Sequence, residues 1–288
     1  MKRKLTAILL ILALLFALSA CASSDMIKGS GTEEDPWLCG ADKDDDVRVF
    51  VMDNSLWING NGKMMDFEEL EARPWNDIIG DISNISIFDE LQYVGKNAFK
   101  GAGVNCDYVD LFLGSGIGAI GDSAFEGVNF TQEEDGFVYS TIITIPESVE
   151  SIGARAFADS ELGEVYIDGA PAVADDAFAG NTCKLYVRNY SGFVRQPYGG
   201  EIEYVTTYAF NYVEDYGSED LSGEGTMYVP DGENLEYNAQ DYVGDENYEF
   251  DRWELVSGDL NIEEPENPEI NVSLTGDVQV IIHYKEIG

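Results

Sequence analysis

A short string recurs along the chain with the same residues in the same order: Val94-Gly95-x-x-Ala98-Phe99, Ile120-Gly121-x-x-Ala124-Phe125, Ile152-Gly153-x-x-Ala156-Phe157 and, without its glycine, Val173-Ala174-x-x-Ala177-Phe178. Self-similarity at intervals of roughly 20 to 30 residues is the mark of a solenoid. An alternating apolar pair stands shortly before each copy: Ile85/Ile87, Leu111/Leu113, Ile143/Ile145 and Val165/Ile167. Each unit therefore reads as one short strand, a bend and a compact turn. Such a unit cannot bury its apolar face alone, so neighbours must stack to make a continuous core.

The fullest copy runs from Ile143 to Phe157. Alternation points Ile143 and Ile145 to one face, and Pro146 ends the strand. Val149 and Ile152 turn inward again, Gly153 allows a bend that a side chain would obstruct, and Phe157 supplies a large stacked wedge. The expected core is Val94, Phe99, Ile120, Phe125, Ile143, Ile145, Ile152, Phe157, Val173 and Phe178.

The string closely resembles the BspA-like (Treponema-type) leucine-rich repeats, and the resemblance covers roughly residues 82–187. Residues 129–140 insert an acidic loop before the third copy. Upstream, Leu56-Trp57-Ile58-Asn59-Gly60-Asn61-Gly62-Lys63-Met64-Met65-Asp66-Phe67, followed by Pro74-Trp75, resembles a segment that often precedes such repeats in surface proteins. A capping hairpin carrying Trp57 and Trp75 in its core would cover the open end of the solenoid.

Lys2, Arg3 and Lys4, then the apolar run 5–17, read as a secretory signal peptide. Leu18-Ser19-Ala20-Cys21 resembles the bacterial lipobox, which implies lipidation of Cys21 and a mature chain held to a membrane by its acyl chains. The expected organisation is a lipoprotein signal peptide over 1–21, a flexible acidic tether over 22–46, a β cap over 47–80, the solenoid over 81–197 and an acidic C-terminal β domain over 201–288. The fold class is mainly β, with a short helical turn accompanying each repeat strand. The last module, with Tyr248, Phe250, Trp253, Ser257 and Gly258, resembles small β repeats at the C-terminal end of bacterial surface proteins, which implies a spacer or binding module. Its strands are expected at 202–213, 226–229, 248–255, 270–274 and 278–284.

Charge narrows the function. The chain holds 55 acidic and 16 basic residues, a net charge of −39. Nucleic-acid binding needs clustered Lys and Arg, so it is excluded. Cys39, Cys106 and Cys183 follow Cys21, an odd set that allows at most one disulfide and has no metal-ligand spacing. The sole histidine, His283, lies in the terminal strand and reads as structural. Gly116-x-Gly118-x-x-Gly121 formally matches a dinucleotide pattern, but Gly121 is the repeat glycine and no βαβ unit surrounds it. Asp42, Asp44, Asp45 and Asp46 could offer oxygen ligands to calcium, without the spacing of an EF-hand loop.

The expectation is a non-enzymatic, cofactor-free protein, lipid-anchored at the bacterial cell surface. Its solenoid would bind an extracellular protein or glycan in adhesion or host and matrix interaction. Tyr186, Tyr190, Phe193 and Tyr198 are the candidate binding surface. The alternatives are a structural spacer or subunit of an envelope assembly, and an accessory or catalytic polysaccharide-processing protein.

Overall fold

The computed structural model describes residues 27–88, 90–134, 137–189, 192–217, 222–244 and 246–287. The signal peptide, Cys21 and Tyr190 lie outside the described residues. Cα packing divides the chain into two compact units, one holding residues up to 165 with 170–183 and 196–202, the other 166–169, 184–195 and 203–288.

The first unit starts with the cap. Asp46–Met52 and Ser55–Lys63 form an antiparallel hairpin. Its two-residue turn, Asp53-Asn54, has both residues left-handed, at φ 48° and 58°, as a type I′ hairpin requires. The segment expected as a flexible tether over 22–46 is folded from residue 27. Trp37–Leu38 pairs with the hairpin's first strand, Cys39 is fully buried, and the Trp37 ring meets Trp75 at 6.0 Å. Burying Cys39 and half-burying Trp37 against Trp75 outweighs the polar character of their neighbours.

Ser55–Lys63 then changes partners. Leu56 and Ile58 pair in parallel with Ile85 and Ile87 of Asn84–Ile87, while Gly62 and Lys63 pair with Leu91–Val94. One cap strand thus seeds two parallel ladders. The first continues to Asp110–Leu113. The second runs through Ala119–Ile120, Ser151–Ile152 and Ala172–Val173. A repeat therefore contributes two strands where its sequence pattern suggests one, because a two-residue strand is too short to display alternation. Residues 129–140, expected as a loop, include the hairpin of Thr131–Glu134 and Phe137–Ser140.

The compact turns also pair from repeat to repeat. Phe99 N–H donates to Ala124 O, Phe125 to Ala156 O and Phe157 to Ala177 O, each at 2.8 Å. The rings follow the same order. Centroids lie 6.0 Å apart for Trp75–Phe99, then 5.5, 5.1 and 5.6 Å along Phe99–Phe125–Phe157–Phe178, all near parallel. Of the expected core residues only Val173 departs, being half-buried on the strand that ends its ladder.

A side chain at the repeat glycine would be obstructed, as expected, although the left-handed residue of the bend lies two positions on. Gly95, Gly121 and Gly153 are not left-handed; Asn97, Ser123 and Arg155, two residues on, are, at φ 58°, 53° and 54°. The glycine serves close approach between turns. A Cβ on Gly121 would stand 2.7 Å from Lys96 N and 2.8 Å from Val94 O, and one on Gly153 2.7 Å from Asp122 N.

Glu126 ties three successive repeats, meeting Lys100 at 2.7 Å and Arg155 at 2.8 Å. Burial pushes its carboxyl up, but hydrogen bonds from Arg155 and Lys100 outweigh it and bring it from 4.5 to about 2. A depressed carboxylate contributes stability above its unfolded value that is lost as pH falls through its folded one. Acid melts between pH 4.5 and 2 should therefore fall more steeply for the wild type than for Glu126→Gln. Parallel slopes would show that the bridge contributes nothing.

In the second unit, Glu201–Asp215 pairs antiparallel with Ser222–Pro230 and parallel with Val278–Glu286, which pairs antiparallel with Tyr248–Ser257. Asn234–Asn238 and Glu269–Ser273 form a separate antiparallel pair. The first of these was not expected, although Leu235 and Tyr237 alternate and both are buried. Phe210, Trp253, Val280 and Ile282 belong to the core.

Candidate functional site

In the ladder strands alternate side chains face opposite ways. Leu56, Ile58, Ile85, Ile87, Leu111 and Leu113 are buried on the inner face. Trp57, Ser86 and Phe112 occupy the intervening positions. With Phe50 and Phe88, Trp57 and Phe112 build a second aromatic row. Centroids are 6.3 Å apart for Phe50–Trp57, 5.7 Å for Trp57–Phe88 and 6.3 Å for Phe88–Phe112. Trp57 thus belongs to this row, not to the core of the cap. Trp75 is the core tryptophan, fully buried with Nε1 donating to Ala98 O at 2.8 Å.

Exposure rises along the row. Phe50 is buried, Phe88 is 38% exposed and Phe112 53%. Ile142, just before the neighbouring strand Ile143–Ile145, is 60% exposed. Phe50, Trp57 and Phe88 lie with their ring planes nearly parallel, at 9° and 16°. The residues that sequence reasoning missed are Trp57, Phe88 and Phe112. The signal for Phe112 was present, as an aromatic at the outward position of an alternating strand.

Two residues of the expected binding surface, Tyr186 and Tyr198, are buried. Tyr186 is buried against Tyr166, 4.4 Å apart at 6°. Tyr198 is buried edge-on to Phe178, at the end of the inner aromatic ladder. Phe193 is half-buried against Tyr204. Both tyrosines bury too much ring surface to remain outside.

The other sequence candidates are held by local contacts. Asp45 accepts the Asp42 N–H at 3.0 Å, Asp46 meets Arg48 at 2.7 Å, and Asp44 lies 3.9 Å from Lys43. Among the described residues no group of three or more His, Cys, Asp or Glu side chains is placed to hold a metal ion. Cys39, Cys106 and Cys183 are free thiols. Burial pushes Cys39 and Cys183 up to about 12, and Cys106 upward, so little reactive thiolate forms at neutral pH. His283 has both ring nitrogens engaged, Nδ1 with Asp215 at 2.8 Å and Nε2 with Glu254 at 2.9 Å. The Gly217 N–H, and then His283, hold the Asp215 carboxyl below its usual value. With a carboxylate on each nitrogen, the imidazole is a cross-strand tie, not a free general base.

Residues 78–183 match the family model of the BspA-type leucine-rich repeat region, in six copies. This segment is a BspA-type leucine-rich repeat region. Its six copies exceed the three that the Gly-x-x-Ala-Phe string reveals and the fourth that lacks the glycine, and both aromatic ladders run through it from the cap. The crystal structure of a leucine-rich repeat protein from Eubacterium ventriosum is similar at 18% identity and a TM-score of 0.43. That similarity covers 56% of this chain and 41% of the other, so the chain spans under half the length of that protein. No curated protein matches the chain.

Proposed function

We propose that this is a lipid-anchored bacterial cell-surface protein whose leucine-rich repeat region binds an extracellular protein or glycan and catalyses no reaction. The observation that carries this reading is the outward aromatic row ending in Phe112. On a chain with a net charge of −39, a contiguous apolar ridge stands out from its surroundings, and such patches mark interaction sites. The closed-off chemistry of His283 and of the buried thiols supports a binding role over a catalytic one.

The test is a binding profile of the mature chain against extracellular proteins and glycans, repeated with Phe88→Ser and Phe112→Ser. Affinity should fall roughly tenfold or more for each, about 1.4 kcal/mol, since aromatic anchors dominate interfaces. An unchanged profile would remove the row from the site, and an empty one would favour a spacer.

The anchor rests on the lipobox-like residues 18–21. Cys21→Ser should release the protein from the membrane fraction, because the acyl chains supply the attachment. Wild-type membrane retention after a carbonate wash would defeat that part of the proposal.

A further inference from the structure

We propose a second binding site, in the C-terminal unit, that takes a neutral saccharide chain. A depression of about 590 Å³ lies beside the strand Glu269–Ser273. It adjoins another of about 410 Å³ that shares Asn267, Glu269, Ile270 and Asn271. Both volumes fall within the range of small-ligand sites, and their continuity along one strand suits an extended ligand.

The first depression holds an aromatic platform. Tyr242 is 59% exposed and lies face to face on the buried Tyr237, centroids 4.7 Å apart at 9°. The stack covers one ring face and fixes the ring, leaving the opposite face for the C–H groups of a pyranose.

Oriented polar groups surround it. Asn238 Oδ1 accepts the Gln240 N–H at 3.0 Å, and Asn267 Oδ1 accepts the Glu269 N–H at 3.1 Å. Each amide is thereby set by its own backbone turn, with its Nδ2 as the remaining donor. Glu236, Asp241 and Glu269 add acceptors, and Glu236 is steadied by Asn271 Nδ2 at 2.8 Å. Sugar hydroxyls both donate and accept, so amide donors set among carboxylate acceptors match them. Neither depression has a Lys or Arg in its lining, so phosphates, sulfates and uronates are repelled.

The test uses the mature chain on an array of neutral hexaoses of glucose, mannose, xylose and galactose, followed by calorimetric titration. At least one hexaose should bind, and Tyr242→Ala should weaken it roughly tenfold or more. Asn267→Asp, which keeps the oxygen that accepts the Glu269 N–H and removes the amide donor, should do the same with an unchanged melting temperature. Phe112→Ser should leave hexaose binding intact, separating this site from the solenoid row. Failure of every hexaose at millimolar concentration, or binding that survives Tyr242→Ala, overturns the proposal. Tyr242-dependent binding of a lysine hexapeptide in preference to every sugar would also overturn it.

Discussion

Phe157→Ala is expected to lower the stability of the repeat region by about 3–5 kcal/mol, the cost of deleting a fully buried aromatic from a packed core. Phe157 is fully buried between two rings, 5.1 Å from Phe125 and 5.6 Å from Phe178. Removing it opens a cavity between repeats and breaks the aromatic continuity from Trp75 onward. Neighbouring repeats share that wall, and in a solenoid the loss of an interface spreads to the units beside it. Thermal and urea melts of the mature chain give the measurement. A variant that unfolds at the wild-type midpoint would mean that the ladder is not the source of stability.

Gly95→Ala is expected to cost about 1–3 kcal/mol, toward the upper end, through overpacking. The new Cβ would lie 2.0 Å from Met65 O and 2.9 Å from Met65 C. Both are backbone atoms of the cap, so no side-chain rotation relieves the clash. The control is Gly118→Ala, whose Cβ would meet only Gln92 O, at 3.3 Å, and which a shift of a few tenths of an ångström accommodates. Equal losses in the two variants would assign the effect to lost glycine conformation instead of to the close approach of turn and cap.

These two substitutions separate what the sequence made legible from what it hid. The Phe spacing announces the inner ladder, because a large residue recurring at fixed distance from an alternating pair can only stack on its own copies. The same string placed the bend at the glycine. The left-handed residue is instead Asn97, Ser123 or Arg155, and an arginine there carries no recognisable conformational signal. Trp37 and Cys39 lay inside a polar, acidic stretch, and composition concealed one buried anchor, Cys39, and one half-buried ring, Trp37. At the candidate site the difficulty was direction. Tyr186 and Tyr198 turn inward and Phe112 outward, which aromatic content alone does not reveal. Alternation pointed Phe112 outward, while the partnership with Phe88 and Trp57 required the parallel register of separate repeats.

The acidic C-terminal unit shows a similar division. Aromatic and β-branched runs marked its longer strands, whereas Asn234–Asn238 is flanked by turn-forming residues and is paired with the distant Glu269–Ser273. Its contribution to the depression beside Tyr242 comes from that long-range pairing.

In the function proposed here the outward aromatic row of the repeat region is the binding surface. Hydroxyl-radical footprinting of the mature chain, with and without the partner that the binding profile selects, tests it most directly because phenyl rings are labelled when exposed. Phe88 and Phe112 are expected to be labelled in the free protein and protected in the complex. A complex in which both rings remain as reactive as in the free chain would contradict it.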